Sequence, residues 1–128
     1  MTFLLDTHFV IWIPINDRRI GSVGRKILND SANTFLFSAA NLWEIAIKRA
    51  QKVGAFAYDP RAIRKHMLAN GYQELPIDGS HAVAVDSLPL IHRDPFDRLL
   101  IAQAIIEGIT FLTRDRAIAK YPGPIRRV

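Results

Sequence analysis

An α/β fold with a parallel sheet covered on both faces is predicted by three observations. Short apolar, β-rich runs alternate with helical stretches along the whole chain. Two of the helices open on Asp-Pro, at Asp59-Pro60 and Asp94-Pro95, where the aspartate suits the N-cap and the proline the first helical position. The first apolar run, Phe3-Leu4-Leu5, has no polar face and ends in Asp6-Thr7, as expected of a buried strand feeding a turn.

The elements follow in order. After the first strand, His8 to Ile13 forms a brief helix that Pro14 should stop. Ser22 to Leu28 is a second helix, closed by the polar turn Asn29-Asp30-Ser31, and Thr34 to Ser38 is the second strand. Ala39 to Gln51, rich in Ala, Leu, Ile and Lys, is a strong helix ending near Gly54. A helix from Pro60 to Asn70-Gly71 leads to a less apolar third strand at Tyr72 to Ile77 and a further helix over Gly79 to Leu88. Phe96 to Glu107 is an apolar helix closed by Gly108. Ile109 to Thr113 is the fourth strand, Asp115 to Lys120 a short helix, and Ile125 to Val128 a fifth strand.

Composition narrows the function. The 128 residues, 49% hydrophobic and 23% charged, suit one domain spanning 1–128, with no repeat, low-complexity tract or Gly/Ser-rich linker. The absence of cysteine excludes a disulfide scaffold, a thiolate zinc site and a cysteine nucleophile. The apolar start, Phe3 to Ile15, is too short for a membrane span and has no basic residue before it, so a cytoplasmic protein is expected. Seventeen Lys and Arg against twelve Asp and Glu leave a charge of +5, compatible with a polyanionic partner.

Four acids hold suggestive positions. Asp6 follows the first strand and Asp115 the fourth, and ligands of open parallel sheets bind beyond the carboxyl ends of strands. Taken singly, each also reads as a helix N-cap. Asp97 sits at the third position of its helix, in line with Leu100, Ile101 and Ala104. A carboxylate on an apolar face needs a partner, either a metal ion or an arginine. Asp94 reads as a cap. Glu44 shares a helical side with Asn41 and Lys48, which alone would be a solvated stripe with an i,i+4 ion pair. Its candidacy rests on its helix following the second strand. Oxygen donors of this kind suit Mg²⁺ or Mn²⁺, and an acidic pocket in a basic protein suits phosphodiester hydrolysis.

These residues resemble those of the PIN-domain family, specifically VapC-type ribonuclease toxins of toxin–antitoxin pairs. The resemblance is carried by Leu4-Leu5-Asp6-Thr7-His8, by Ser38-Ala39-Ala40 with Leu42-Trp43-Glu44-Ile45-Ala46-Ile47-Lys48, by the run His92 to Ala104 around Asp94-Pro95-Phe96-Asp97, and by Thr113-Arg114-Asp115. It implies a three-layer α/β/α fold whose five-stranded parallel sheet has the order 3-2-1-4-5, making strands one and four neighbours. It further implies a Mg²⁺- or Mn²⁺-dependent endoribonuclease with Asp6, Glu44, Asp97 and Asp115 as its acidic site, a homodimer, and inhibition by a cognate antitoxin. Within that set Asp6 and Asp97 are expected to ligate metal directly. Glu44 and Asp115 would act through waters, complete a second site or position the attacking water.

Rival readings are a metal-dependent phosphatase of small phosphoesters and a non-catalytic RNA-binding module. Against the first, Asp6-Thr7-His8 lacks the second aspartate of a DxD nucleophile motif. His8, His66, His81 and His92 show no metal-ligand spacing, Gly21-Ser22-Val23-Gly24 lacks a P-loop lysine, and Trp12 and Trp43 read as core aromatics. Arg93, Arg98, Arg114 and Arg116 flank the acids, as phosphate contacts or as surface ion-pair partners.

Overall fold

A computed structural model describes all residues, Met1 to Val128. Five parallel strands, β1 (Thr2–Leu5), β2 (Thr34–Ser38), β3 (Gln73–Leu75), β4 (Thr110–Thr113) and β5 (Ile125–Arg127), lie in the order β3-β2-β1-β4-β5. Six α-helices cover the sheet: α1 (Thr7–Ile15), α2 (Gly21–Leu28), α3 (Ala39–Ala50), α4 (Pro60–Ala69), α5 (Gly79–Ala84) and α6 (Pro95–Glu107). None is long and apolar enough to cross a membrane.

The strand period of two divides the core into two layers. Phe3 and Leu5 of β1, Phe35 and Phe37 of β2 and Leu112 of β4 join α1, α3 and α4 through Phe9, Ile45, Ile63 and Met67. Leu4 of β1 and Phe111 of β4 face the opposite way, against Leu100, Ile101 and Ala104 of α6. Because β1 is central, its residues are buried on both faces, which is why the run is apolar throughout. Register places Leu5 beside Leu112, so β1 and β4 end together and release Asp6 and Thr113 at one edge.

Several elements differ from their expected extents. α1 continues through Pro14 to Ile15, because a proline in the last turn removes only one ladder bond; Asn16, at φ 51°, then closes the helix with its N–H on the Ile13 carbonyl and the Asp17 N–H on the Trp12 carbonyl. β3 stops at Leu75, since Pro76 has no N–H for the ladder. Beyond β4 the chain makes only a 3-10 turn, Ile118–Lys120, and further 3-10 turns form at Arg18–Ile20, Gly54–Phe56 and Val85–Ser87. The Gly54 turn inserts Phe56 into the core. Trp43 is no core residue: it is 53% exposed and sets its ring against the edge of Phe96, centroids 4.9 Å apart. Trp12 is half-buried, beside His8 and beneath the Arg19 guanidinium.

Candidate active site

The acidic residues meet where β1, β2 and β4 end and α3 and α6 begin. Asp6 stands at the N-cap position of α1 but makes no capping bond with its side chain. Its carboxylate is buried and accepts a 2.6 Å hydrogen bond from the Thr113 hydroxyl across the β1–β4 boundary. That hydroxyl in turn accepts from the Asp115 N–H, which fixes its proton toward Asp6. Burial, the largest influence, raises the Asp6 carboxyl above its ordinary range; Thr113 and His8 oppose the rise and Glu44 adds to it.

Glu44 is buried on α3 and far from a solvated stripe. Its Oε1 accepts from the Thr7 hydroxyl at 2.5 Å, and its Oε2 lies 2.6 Å from Lys48 Nζ. Asn41 supports Thr7 by donating to its hydroxyl and to the Leu5 carbonyl, while its own Oδ1 accepts the Ser38 N–H. Ser38 caps α3 by accepting from the Ala40 N–H. The helix start that follows β2 therefore fixes Glu44 through a chain of satisfied polar groups.

Asp94 caps α6 with Oδ1, which accepts the Phe96 and Asp97 N–H groups, and its Oδ2 lies 3.2 Å from Lys48 Nζ. Asp97 is buried beside it, and its carboxyl is pushed up to about 8, by burial first and then by Asp6, Asp94 and Glu44. Near neutral pH the crowded pocket therefore holds a proton on Asp97. Asp115 caps as expected, its Oδ1 accepting the Ala117 and Ile118 N–H groups, while Oδ2 lies 3.8 Å from His92 Nε2.

His92 and Lys48 are the groups that sequence reasoning missed. His92 Nε2 lies 3.6 Å from Asp97 Oδ2 and 3.8 Å from Asp115 Oδ2. Its Nδ1 accepts the Asp94 N–H, which places the proton of the neutral ring on Nε2, pointing at the acids. Tyr121 holds the residue from behind, its hydroxyl accepting the His92 N–H and donating to the His92 carbonyl. No sequence spacing carries this placement. Lys48 was visible only as an i,i+4 partner of Glu44, not as a cation between two carboxylates.

The arginines divide. Arg98 donates to the Pro89, Val85 and Leu88 carbonyls and to Tyr121, so it fastens the 85–91 segment and is not free for phosphate. Arg93, Arg114 and Arg116 are exposed, with Arg114 Nη1 donating to the Arg19 carbonyl. Arg114 and Asp115 line a cleft of about 240 Å³ with Asp6, His8, Phe9 and Trp12. Within the acidic pocket the donor atoms of His92, Asp97 and Asp115, and separately those of Glu44, Asp94 and Asp97, lie within 4.8 Å of one another. A carboxyl raised by burial and by neighbouring acids is only partly compensated by Lys48, and these oxygen donors fit a hard divalent cation.

The PIN domain model matches residues 3–124. This chain belongs to the PIN domain family. Sequence comparison with curated proteins finds no match. The PIN fold is shared with solved structures of low sequence identity. One, of VapBC2 from Rickettsia felis bound to a DNA fragment from their promoter, is 15% identical with a TM-score of 0.72, over 99% of this chain and 98% of that one. Another, of DNA-bound VapBC from Salmonella typhimurium, is 18% identical with a TM-score of 0.65 over the same shares. VapBC-1 from nontypeable Haemophilus influenzae is 16% identical with a TM-score of 0.62, again over 99% and 98%.

Proposed function

We propose that this PIN domain is a metal-dependent endoribonuclease acting as the toxin of a type II toxin–antitoxin pair. The observation that carries the reading is the convergence of Asp6, Glu44, Asp97 and Asp115 at the carboxyl edge, with Asp97 pushed up to about 8 by burial first and then by Asp6, Asp94 and Glu44. Asp97 and Asp115, with Asp6 beside them, would hold Mg²⁺ or Mn²⁺. Such an ion, when bound, supplies a water of lowered pKa and offsets charge on phosphoryl oxygens.

The chain's own residues do the rest. Asp97 surrenders its proton when a cation is present, and Thr113 keeps the Asp6 carboxylate turned toward the pocket. His92, whose Nε2 lies beside Asp97 and Asp115, would donate its N–H to a phosphate oxygen of a bound substrate. The Asp6–Trp12–Arg114 cleft offers an aromatic surface for an unpaired base and a guanidinium for the backbone. With five of the twelve carboxylates gathered in the pocket, the remaining surface is more basic than +5 conveys, which favours RNA over a small phosphoester.

A cytoplasmic ribonuclease endangers its own cell, so the reading includes a cognate antitoxin, a homodimeric toxin and cytoplasmic residence. A guanidinium from the antitoxin would pair with the pocket carboxylates in competition with the ion. The test incubates purified protein with mixed RNAs and p-nitrophenyl phosphate, in Mg²⁺, Mn²⁺ or EDTA. Internal RNA cleavage that EDTA stops and that D6N or D97N abolishes is expected. Turnover of the small ester alone would establish a phosphatase, and RNA binding without cleavage a non-catalytic module.

A further inference from the structure

The two groups of converging donor atoms share Asp97, yet they differ in what already stands among them. Between Glu44 and Asp94 lies Lys48, its ammonium 2.6 Å from Glu44 Oε2 and 3.2 Å from Asp94 Oδ2. The remaining oxygens of that pair are taken as well: Thr7 donates to Glu44 Oε1, and two backbone N–H groups of α6 donate to Asp94 Oδ1. Aromatic rings confine the ammonium, with the Phe56 centroid 4.8 Å away and that of Phe96 5.9 Å away. Burial alone would lower the Lys48 pKa, but Glu44 and Asp94 more than offset it, so the side chain stays charged. The other group, His92, Asp97 and Asp115, encloses no lysine or arginine. His92 Nδ1 is occupied by the Asp94 N–H and its Nε2 carries the proton, so that group offers an ion carboxylate oxygens only.

We infer that Lys48 fills the second cation position of the pocket, which therefore takes one divalent ion, on the Asp97–Asp115 side, where a two-metal nuclease takes two. The inference rests on the metal-dependent reading proposed above. Two-metal sites place their ions about 3.5–4 Å apart so that each serves one of the attacking and leaving oxygens. Lys48 supplies permanent charge compensation to Glu44 and Asp94 in place of the second ion. Glu44 is then a positioning residue, holding Lys48 on one oxygen and Thr7 on the other. His92 Nε2, 3.6 Å from Asp97 Oδ2 and 3.8 Å from Asp115 Oδ2, stands on the ion's side of the pocket and not on the Lys48 side.

Mn²⁺ titrated into metal-free wild-type protein, K48Q and K48M tests this, with bound ions counted by native mass spectrometry and their coupling read by electron paramagnetic resonance. Wild type should bind one uncoupled ion per chain. K48Q and K48M should bind two, with the spectrum of a coupled pair. Two coupled ions in wild type would overturn the inference and leave the nuclease reading standing. So would a single ion in a lysine variant whose circular dichroism and melting match wild type. Should both variants unfold, the wild-type count decides alone. Wild type that binds no Mn²⁺ and cleaves no RNA would overturn the nuclease reading, and this inference with it.

Discussion

Replacing Asp97 with asparagine should stabilise the metal-free protein while destroying its response to metal. The sign follows from the raised carboxyl, which stands at about 8 when folded against 3.8 for a free aspartate. Below pH 4 both folded and unfolded chains hold the proton and the group costs nothing. Between pH 4 and 8 the unfolded chain releases a proton that the folded chain keeps, so stability falls as pH rises; above pH 8 the loss is complete. At about 1.4 kcal/mol per tenfold, the full difference is about 6 kcal/mol, of which about 4 kcal/mol is already lost at pH 7. Relaxation of the pocket and water entry reduce the observable share to about 1–3 kcal/mol. Asparagine mimics the protonated form and removes this slope. Urea unfolding in EDTA should show D97N gaining on wild type by about 0.5–2 kcal/mol between pH 5 and pH 7, because part of the cost is already present at pH 5. Millimolar Mn²⁺ should then reverse the order, because an ion at a hundred times its Kd adds about 2.7 kcal/mol to wild type and nothing to a variant that cannot hold it. A gap between the two proteins that does not change with pH would refute the charge-crowding argument. Equal stabilisation of both by Mn²⁺ would refute the role of Asp97 in holding the ion.

Three further outcomes follow from the same geometry. T113V deletes the hydroxyl that favours the ionised form of Asp6, so Mn²⁺ affinity by calorimetry should fall about tenfold, the worth of one charge-assisted hydrogen bond. H92A should lower kcat on RNA about 10–100-fold while Mn²⁺ affinity and the melting temperature stay near wild type, whereas H92Q, which keeps an N–H donor, should recover part of the loss. R98A removes donors to three carbonyls and to Tyr121, so it should cost about 2–3 kcal/mol in urea unfolding, while R114A, which gives up one exposed bond to the Arg19 carbonyl, should cost about 0.5–1 kcal/mol and flatten the salt dependence of RNA binding.

Local signals were legible where local chemistry decides them. The Asp59-Pro60 and Asp94-Pro95 starts are the starts of α4 and α6, and Gly108 closes α6 in the left-handed region at φ 67°. Both aspartates cap with their side chains, as a short-range bond can be read from short-range sequence. Asp6 fails the same reading because its carboxylate finds Thr113, 107 residues away, once β1 and β4 pair. Burial was the harder quantity. The Glu44–Lys48 spacing was plain, but the groups that enclose it, Phe56, Phe96 and Asp94, come from other segments. Trp43 erred in the opposite direction: an aromatic residue amid apolar neighbours on α3 stays at the surface, paired edge to face with Phe96. His92 depends on the longest chain of remote support, with Arg98 and Tyr121 shaping the segment that delivers it.

The supporting residues explain how one small domain tolerates so many acids in one place. Each carboxylate that is not left open has a dedicated donor: Thr7 and Lys48 on Glu44, Lys48 and two backbone N–H groups on Asp94, Thr113 on Asp6. No side-chain nitrogen or oxygen that is buried lacks a partner. Repulsion is therefore drained from the Glu44–Asp94 side and concentrated on Asp97, the one acid raised to about 8. A pocket with uniformly partnered acids would attract an ion weakly, and one with no partners would unfold or protonate throughout. Asymmetry leaves Asp97, the most raised of the acids, facing Asp115 and His92, where a divalent cation would gain most by entering. On the proposed reading, the same donors that hold the fold together would set where an ion binds, and exchanging Lys48 for a neutral residue should move that preference as well as the count of ions.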